Sequence, residues 1–152
     1  ESQGLTAALQ SMADKMLETY GQKVTLDMDE RVTSQLDMGK QGVVFYIIEE
    51  AVNNARKHAG APVIAVSLKM VETGIGLLKI ADNGVGFDVK EMTEAYDKRA
   101  SSSLGMVNLR ERSELVNGLL QIDSAPGKGT KVQVYIPLTE DAADRLHHRQ
   151  AK

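Results

Sequence analysis

Apolar residues recur at helical spacing in three stretches of the chain and alternate with polar ones in several shorter stretches, and that rhythm lays out the elements. In residues 4–20, Leu5, Leu9, Met12, Met16 and Leu17 share one face, which predicts an amphipathic helix stopped by Gly21. Residues 23–28 alternate, with Val24, Leu26 and Met28 on one side, as a strand does. A polar, charged connection over residues 27–40 follows. Residues 43–59 then place Val44, Ile47, Ile48, Ala51, Val52 and Ala55 on a buried helical stripe, closed by Gly60 and Pro62. Two apolar strands, 63–71 and 77–81, flank a turn over 72–76 and read as a hairpin. Segment 88–103 is charged, rich in small residues, and reads as a lid. Leu104-Gly105-Met106 opens a third helix with core positions Met106, Leu109 and Val116 and a stop at Asn117-Gly118. The last strands, 119–123 and 131–137, surround a turn over 124–130, and a polar, partly helical tail occupies 139–152. This order predicts an α+β two-layer sandwich with helices on one face of a mixed, mainly antiparallel sheet, whose other face is partly open to solvent or a partner.

At 152 residues the chain reads as one domain over 1–138 followed by the tail. The net charge of -3 provides no basic field, so nucleic acid is not an expected partner. The absence of cysteine excludes disulfides, thiolate metal sites and cysteine nucleophiles, and is compatible with a reducing, cytoplasmic setting. Neither an apolar run of about 18 residues nor a signal-peptide pattern occurs, so the domain is expected to make no membrane contact of its own, although a larger parent chain could be anchored.

Two stretches carry candidate chemistry. On a wheel of about 100° per residue, Glu50, Asn54, Lys57 and His58 line one flank of the second helix, and Glu49, Asn53 and Arg56 fall on the opposite, wet side. A carboxylate, an amide, an ammonium and an imidazole together suit a metal–phosphate ligand, and equally a solvated helix flank. At the end of the second hairpin strand stands Asp82-Asn83-Gly84-Val85-Gly86-Phe87. Two glycines two apart allow a close backbone approach to a ligand, or simply a turn. The third helix starts after a glycine-containing turn and presents free N–H groups to an anion.

Taken together, Glu50-x-x-x-Asn54-x-x-Lys57-His58, Asp82-x-Gly84-x-Gly86 and Ser103-Leu104-Gly105-Met106 resemble the N box and the two glycine boxes of the ATP-binding catalytic domain of bacterial sensor histidine kinases. That domain belongs to the Bergerat-fold ATPase superfamily, shared with gyrase, a heat-shock chaperone and mismatch-repair ATPases. The resemblance spans about residues 5–138. Asn108-Leu109-Arg110-Glu111-Arg112 and Gly127-Lys128-Gly129-Thr130 are similar to the response-regulator-pairing subfamily with short lids. It implies that Asp82 accepts a hydrogen bond from the adenine amine of ATP, that Gly84 and Gly86 let the backbone pass the base, and that Thr130 closes the adenine side. It further implies that Asn54 coordinates Mg²⁺, that Lys57 and His58 reach the phosphates, and that Glu50 holds a metal-bound water or tunes the phosphate site. Ser103, Leu104, Gly105 and Met106 would form the lid hinge, with Ser103 where the family usually has a glycine. None of His58, His147 and His148 has the acidic helical setting of the family's phosphoacceptor. The implied function is that of a protein-histidine kinase whose partners are ATP, a histidine-containing dimerisation domain absent from this chain and, indirectly, a response regulator. The alternatives are a free-standing serine kinase of the anti-sigma-factor type and a non-catalytic nucleotide-binding module.

Overall fold

The computed structural model describes residues 2–59, 63–84 and 104–150. The expected stop at Gly60 and Pro62, the segment 88–103, and the positions of Gly86 and Ser103 lie outside the described residues. Helix α1 (Ser2–Tyr20) leads into strand β1 (Lys23–Met28), a single-turn helix α2 (Glu30–Thr33) and helix α3 (Met38–Asn54), which continues as a π-helical turn over Ala55–Ala59. Strands β2 (Val63–Glu72) and β3 (Ile75–Asp82), helix α4 (Leu104–Leu115), strands β4 (Leu119–Ser124) and β5 (Thr130–Pro137), and helix α5 (Glu140–Gln150) complete the described chain.

The five strands form one sheet in the order β1-β2-β3-β5-β4. Only β1 and β2 run parallel, and α2 and α3 make the crossover that a parallel pair needs. The remaining pairs are antiparallel, so the sheet is mixed and mainly antiparallel as expected. Because strand side chains alternate between faces, Val24, Leu26, Ile64, Val66, Leu68, Leu78, Ile80, Ile122, Val132, Val134 and Ile136 all point to one side. There they join Leu5, Leu9 and Met16 of α1, Ile47, Ile48, Ala51 and Val52 of α3, and Leu109 of α4 in a single core.

The structure extends the expected pattern in three places. Helix α3 begins five residues before position 43, at Met38, because Asp37 caps it by accepting the Lys40 N–H at 2.9 Å. Gly39 and Gly42, poor helix formers, hide that first turn from a periodicity reading. Within the polar connection, α2 buries Val32 and Thr33 behind an Asp29 cap. The Arg31 guanidinium grips that cap through both carboxylate oxygens and lowers the carboxyl from 3.8 to about 2. Finally, the segment after Thr139 is a docked helix. Ala142 and Leu146 of α5 are buried with Ile75 on the far face of the sheet, against Leu119 and Tyr135. Arg145 fastens the arrangement by donating to the Glu72 carboxylate and to the Thr73 carbonyl, both at 2.9 Å. Among the described residues no helix is long and apolar enough to cross a membrane.

Candidate functional site

At one end of the sheet three polar residues stand in a row across three strands. Asp82 of β3 is the register partner of Thr130 of β5, which is in turn the partner of Ser124 of β4. By alternation they share the face of Ile80, Val132 and Ile122, so the row forms the polar edge of the apolar core, on the side where the helices pack. Asp82 Oδ1 accepts the Gly84 N–H at 2.8 Å and the Thr130 N–H at 3.3 Å. Its second oxygen bonds to no described residue and is the one available to a ligand. Ser124 Oγ donates to the Gly129 carbonyl at 3.0 Å and lies 2.8 Å from Thr130 Oγ1.

The turn that feeds this row is built for close approach. Lys128 N–H bonds back to the Ala125 carbonyl at 3.0 Å across Pro126 and Gly127, and Gly127 supplies the φ of 79° that follows a proline in a type II turn. Gly129 then takes a φ of 76° directly beneath Asp82, where a Cβ would collide with the Asp82 carbonyl oxygen.

Glu50 and Asn54 occupy the last turns of α3, and Lys57 and His58 the π-helical turn beyond it. Single π turns are rare and occur often at functional sites. Here the wider turn carries Lys57 and His58 off the straight-helix wheel used to group them with Asn54. The side chains of Glu50, Asn54 and Lys57 form no hydrogen bond or ion pair with any described residue, and Lys57 is exposed. Accessibility does not separate Asn54 from Asn53, or Glu50 from Glu49, since all four are half-buried.

Arg56 departs from its expected wet position. Its guanidinium lies 4.1 Å from the centre of the Tyr20 ring, a cation–π stack with the end of α1, and its Nε is enclosed with no hydrogen-bond partner among the described residues. A reading of one helix has no access to Tyr20, which comes from another element. Helix α4 begins at Leu104 as expected, with Gly105 and Met106 in its first turn. His147 Nε2 sits 2.7 Å from the Asn117 carbonyl and ties α5 to the turn after α4. Gly129 belongs to the Gly127–Thr130 motif, whereas Ser124 carries no signal of its own in the pattern of residues. The signal that could have found it is the placement of a serine and a second glycine on either side of a Pro-Gly turn.

The donor set bears on the kind of metal these residues would suit. Among the described residues no three His, Cys, Asp or Glu side chains cluster as a metal cage. One amide oxygen, from Asn54, with a carboxylate one helical turn earlier at Glu50, fits Mg²⁺, which keeps most of its waters and takes its remaining ligands from substrate phosphates.

Residues 39–140 match the family described as histidine kinase-, DNA gyrase B- and HSP90-like ATPases, and the chain belongs to that family. The nucleotide of that family is ATP. Among curated relatives, the chain is 35% identical over 91% of its length to an uncharacterised sensor-like histidine kinase of Chloroflexus aurantiacus. It is 33% identical over 90% of its length to the oxygen sensor histidine kinase NreB of Staphylococcus carnosus. It spans only 23% and 37% of those two proteins. The fold agrees with solved structures. A blue-light activated histidine kinase of Erythrobacter litoralis superposes with a TM-score of 0.68 at 22% identity, covering 88% of this chain and 42% of that one. The Acinetobacter baumannii histidine kinase AdeS superposes with a TM-score of 0.64 at 15% identity, covering 91% of this chain and 65% of that one.

Proposed function

We propose that this chain is the ATP-binding catalytic domain of a two-component sensor histidine kinase, which passes the γ-phosphoryl group of ATP to a histidine on a separate dimerisation domain. The observation that carries the reading is the Asp82 carboxylate, held by two backbone N–H groups through one oxygen while the other bonds to no described residue. An ionised carboxylate only accepts hydrogen bonds, so it favours the amine of adenine over the carbonyl that guanine has in that place. Asn54 offers an amide oxygen to Mg²⁺, Glu50 orients the water around it, and Lys57 and His58 meet the phosphates. Bound Mg²⁺ supplies neutralisation of phosphate charge. Beyond that, the chain's residues contribute position and electrostatics, the two things phosphoryl transfer demands of a protein. Gly84 and Gly86 admit the base, Thr130 closes its side, and Ser103, Leu104, Gly105 and Met106 have the role of the lid hinge. The accepted phosphoryl group passes from the histidine to a response regulator in the cytoplasm. The named sensor kinases among the relatives favour histidine over serine as the acceptor.

Two measurements test this reading. In calorimetric titrations the chain should bind ATP selectively over GTP. Asp82→Ala should weaken ATP binding roughly 10- to 150-fold, the worth of a hydrogen bond to a charged group. Unchanged ATP affinity in that variant removes Asp82 from the base. Incubated alone with Mg-ATP, the chain should gain no acid-labile phosphohistidine, because no acceptor is brought in line with the γ-phosphate. Addition of a histidine-bearing dimerisation domain from a related kinase should restore transfer, and labelling of His147 or His148 in the chain alone contradicts the reading.

A further inference from the structure

We propose that Ser124 is a positioning residue for base selection: it fixes the direction of the Thr130 hydroxyl so that Thr130, like Asp82, presents only acceptor oxygens to the purine edge. The inference rests on the ATP-binding reading and adds to it a residue with no counterpart among the roles already given.

The argument is an account of protons. A serine hydroxyl has one proton to donate and two lone pairs that accept. Ser124 Oγ is 3.0 Å from the Gly129 carbonyl oxygen, and a carbonyl has no proton of its own, so the proton in that contact is the serine's. The same Oγ lies 2.8 Å from Thr130 Oγ1, a hydrogen-bond distance for two hydroxyls. With the serine proton committed to Gly129, the proton between the hydroxyls must be the threonine's, pointing inward to Ser124. Thr130 Oγ1 is left with lone pairs alone for whatever occupies the site. Gly129 completes the device, because its φ of 76° is what brings its carbonyl within reach of Ser124.

The row Asp82, Thr130, Ser124 therefore reads outward as carboxylate acceptor, hydroxyl acceptor, and a serine that enforces the second. A purine with an exocyclic amine at position 6 has two hydrogens for such an edge. A 6-oxo purine brings a carbonyl oxygen to the same place and meets acceptors on both residues. Sites that leave a polar group facing its own kind discriminate more strongly than sites that merely lack a contact. Without Ser124, the Thr130 proton is free to turn outward and donate to a 6-oxo group.

The test compares ATP with inosine triphosphate, which differs at the 6-position edge and lacks the 2-amino group of GTP. Dissociation constants are measured by calorimetry for the parent chain, Ser124→Ala, Ser124→Thr, Thr130→Val and the Ser124→Ala/Thr130→Val double variant. Ser124→Ala should shrink the preference for ATP about tenfold, the value of one neutral hydrogen bond, partly through tighter binding of inosine triphosphate. Ser124→Thr, which keeps the hydroxyl, should hold the parental ratio. In the Thr130→Val background the alanine substitution should leave the ratio unchanged, since its effect passes through the Thr130 hydroxyl. A merely structural role weakens both nucleotides in step, so an unchanged ratio in Ser124→Ala overturns the proposal even if both affinities fall. Should the alanine variant not fold, Ser124→Cys, a weaker donor and acceptor of similar shape, is read the same way. A parent chain without preference for ATP sinks the ATP-binding reading instead, so the two failures are distinguishable.

Discussion

Gly129→Ala is expected to destabilise the domain by about 2 to 4 kcal/mol and to abolish selective nucleotide binding with it, two costs from one methyl group. The first arises from backbone conformation, since an L-residue in the left-handed region costs roughly 1 to 2 kcal/mol. The second is steric: the new Cβ runs into the carbonyl oxygen of Asp82, a backbone atom of the central strand β3 that cannot swing aside as a side-chain tip can. Relief requires the β4–β5 turn to lift, which breaks the 3.3 Å bond from the Thr130 N–H to Asp82 and the Ser124 contact with Gly129 together. Gly127→Ala is the control. Gly127 has a similar φ of 79° but open space around its missing Cβ, so it should show the conformational cost alone and keep nucleotide selectivity. Chemical denaturation and nucleotide titration of both variants check this. Equal stability losses in the two would mean that the contact with Asp82 contributes nothing.

The second large effect separates two adjacent asparagines. If Asn54 holds the metal, Asn54→Ala removes the amide oxygen and should slow phosphoryl transfer to a supplied dimerisation domain roughly 10²- to 10³-fold, as losing one preorganised electrostatic group does. Asn54→Asp keeps the size but adds a charge beside the phosphates, and should also lose the parental response of ATP affinity to Mg²⁺. The same substitutions at Asn53, one position and about 100° further round the helix, should stay within about 0.5 kcal/mol in binding. Both residues are half-buried, and the register of the helix is what distinguishes them. ATP affinity with Mg²⁺ and with chelator, measured for all four variants, decides the matter. If the Asn53 variants lose the Mg²⁺ response and the Asn54 variants keep it, the roles given to Glu50, Lys57 and His58 fall as well.

Much of the architecture was legible because it follows from periodicity. The stripe from Val44 to Ala55 and the alternation of β1, β2, β3 and β5 are one-dimensional signals of burial, and all reappear in the core. The Asp82 motif drew attention as a carboxylate at a strand end beside glycines, a pattern that a plain turn also explains, and in the structure Asp82 closes β3 and accepts two backbone N–H groups. What escaped notice shares another character. Helix α2 is a single turn, too short for any period to register, and is held by a cap at Asp29. The position of Arg56 depends on Tyr20, 36 residues earlier, and the π turn that carries it has no periodic signature. Ser124 gains meaning only when β4 is paired to β5 in a definite register, and pairing between strands is not written in either strand alone.

The clasp made by α5 bears on the order of events in folding. Arg145 reaches Glu72 across 73 positions of sequence, whereas the β2–β3 hairpin it grips is closed by a two-residue turn. The contact has nothing to grip until the hairpin and the end of β5 have formed, and it becomes local only once Ile75 is paired with Pro137. Its apolar anchorage is also slight, with Ala142 and Leu146 in a cluster apart from the main core. Helix α5 is therefore expected to behave as a separate cooperative unit that docks last and releases first, its amides exchanging before those of β3, with the Asp82 row at the other end of that strand left intact.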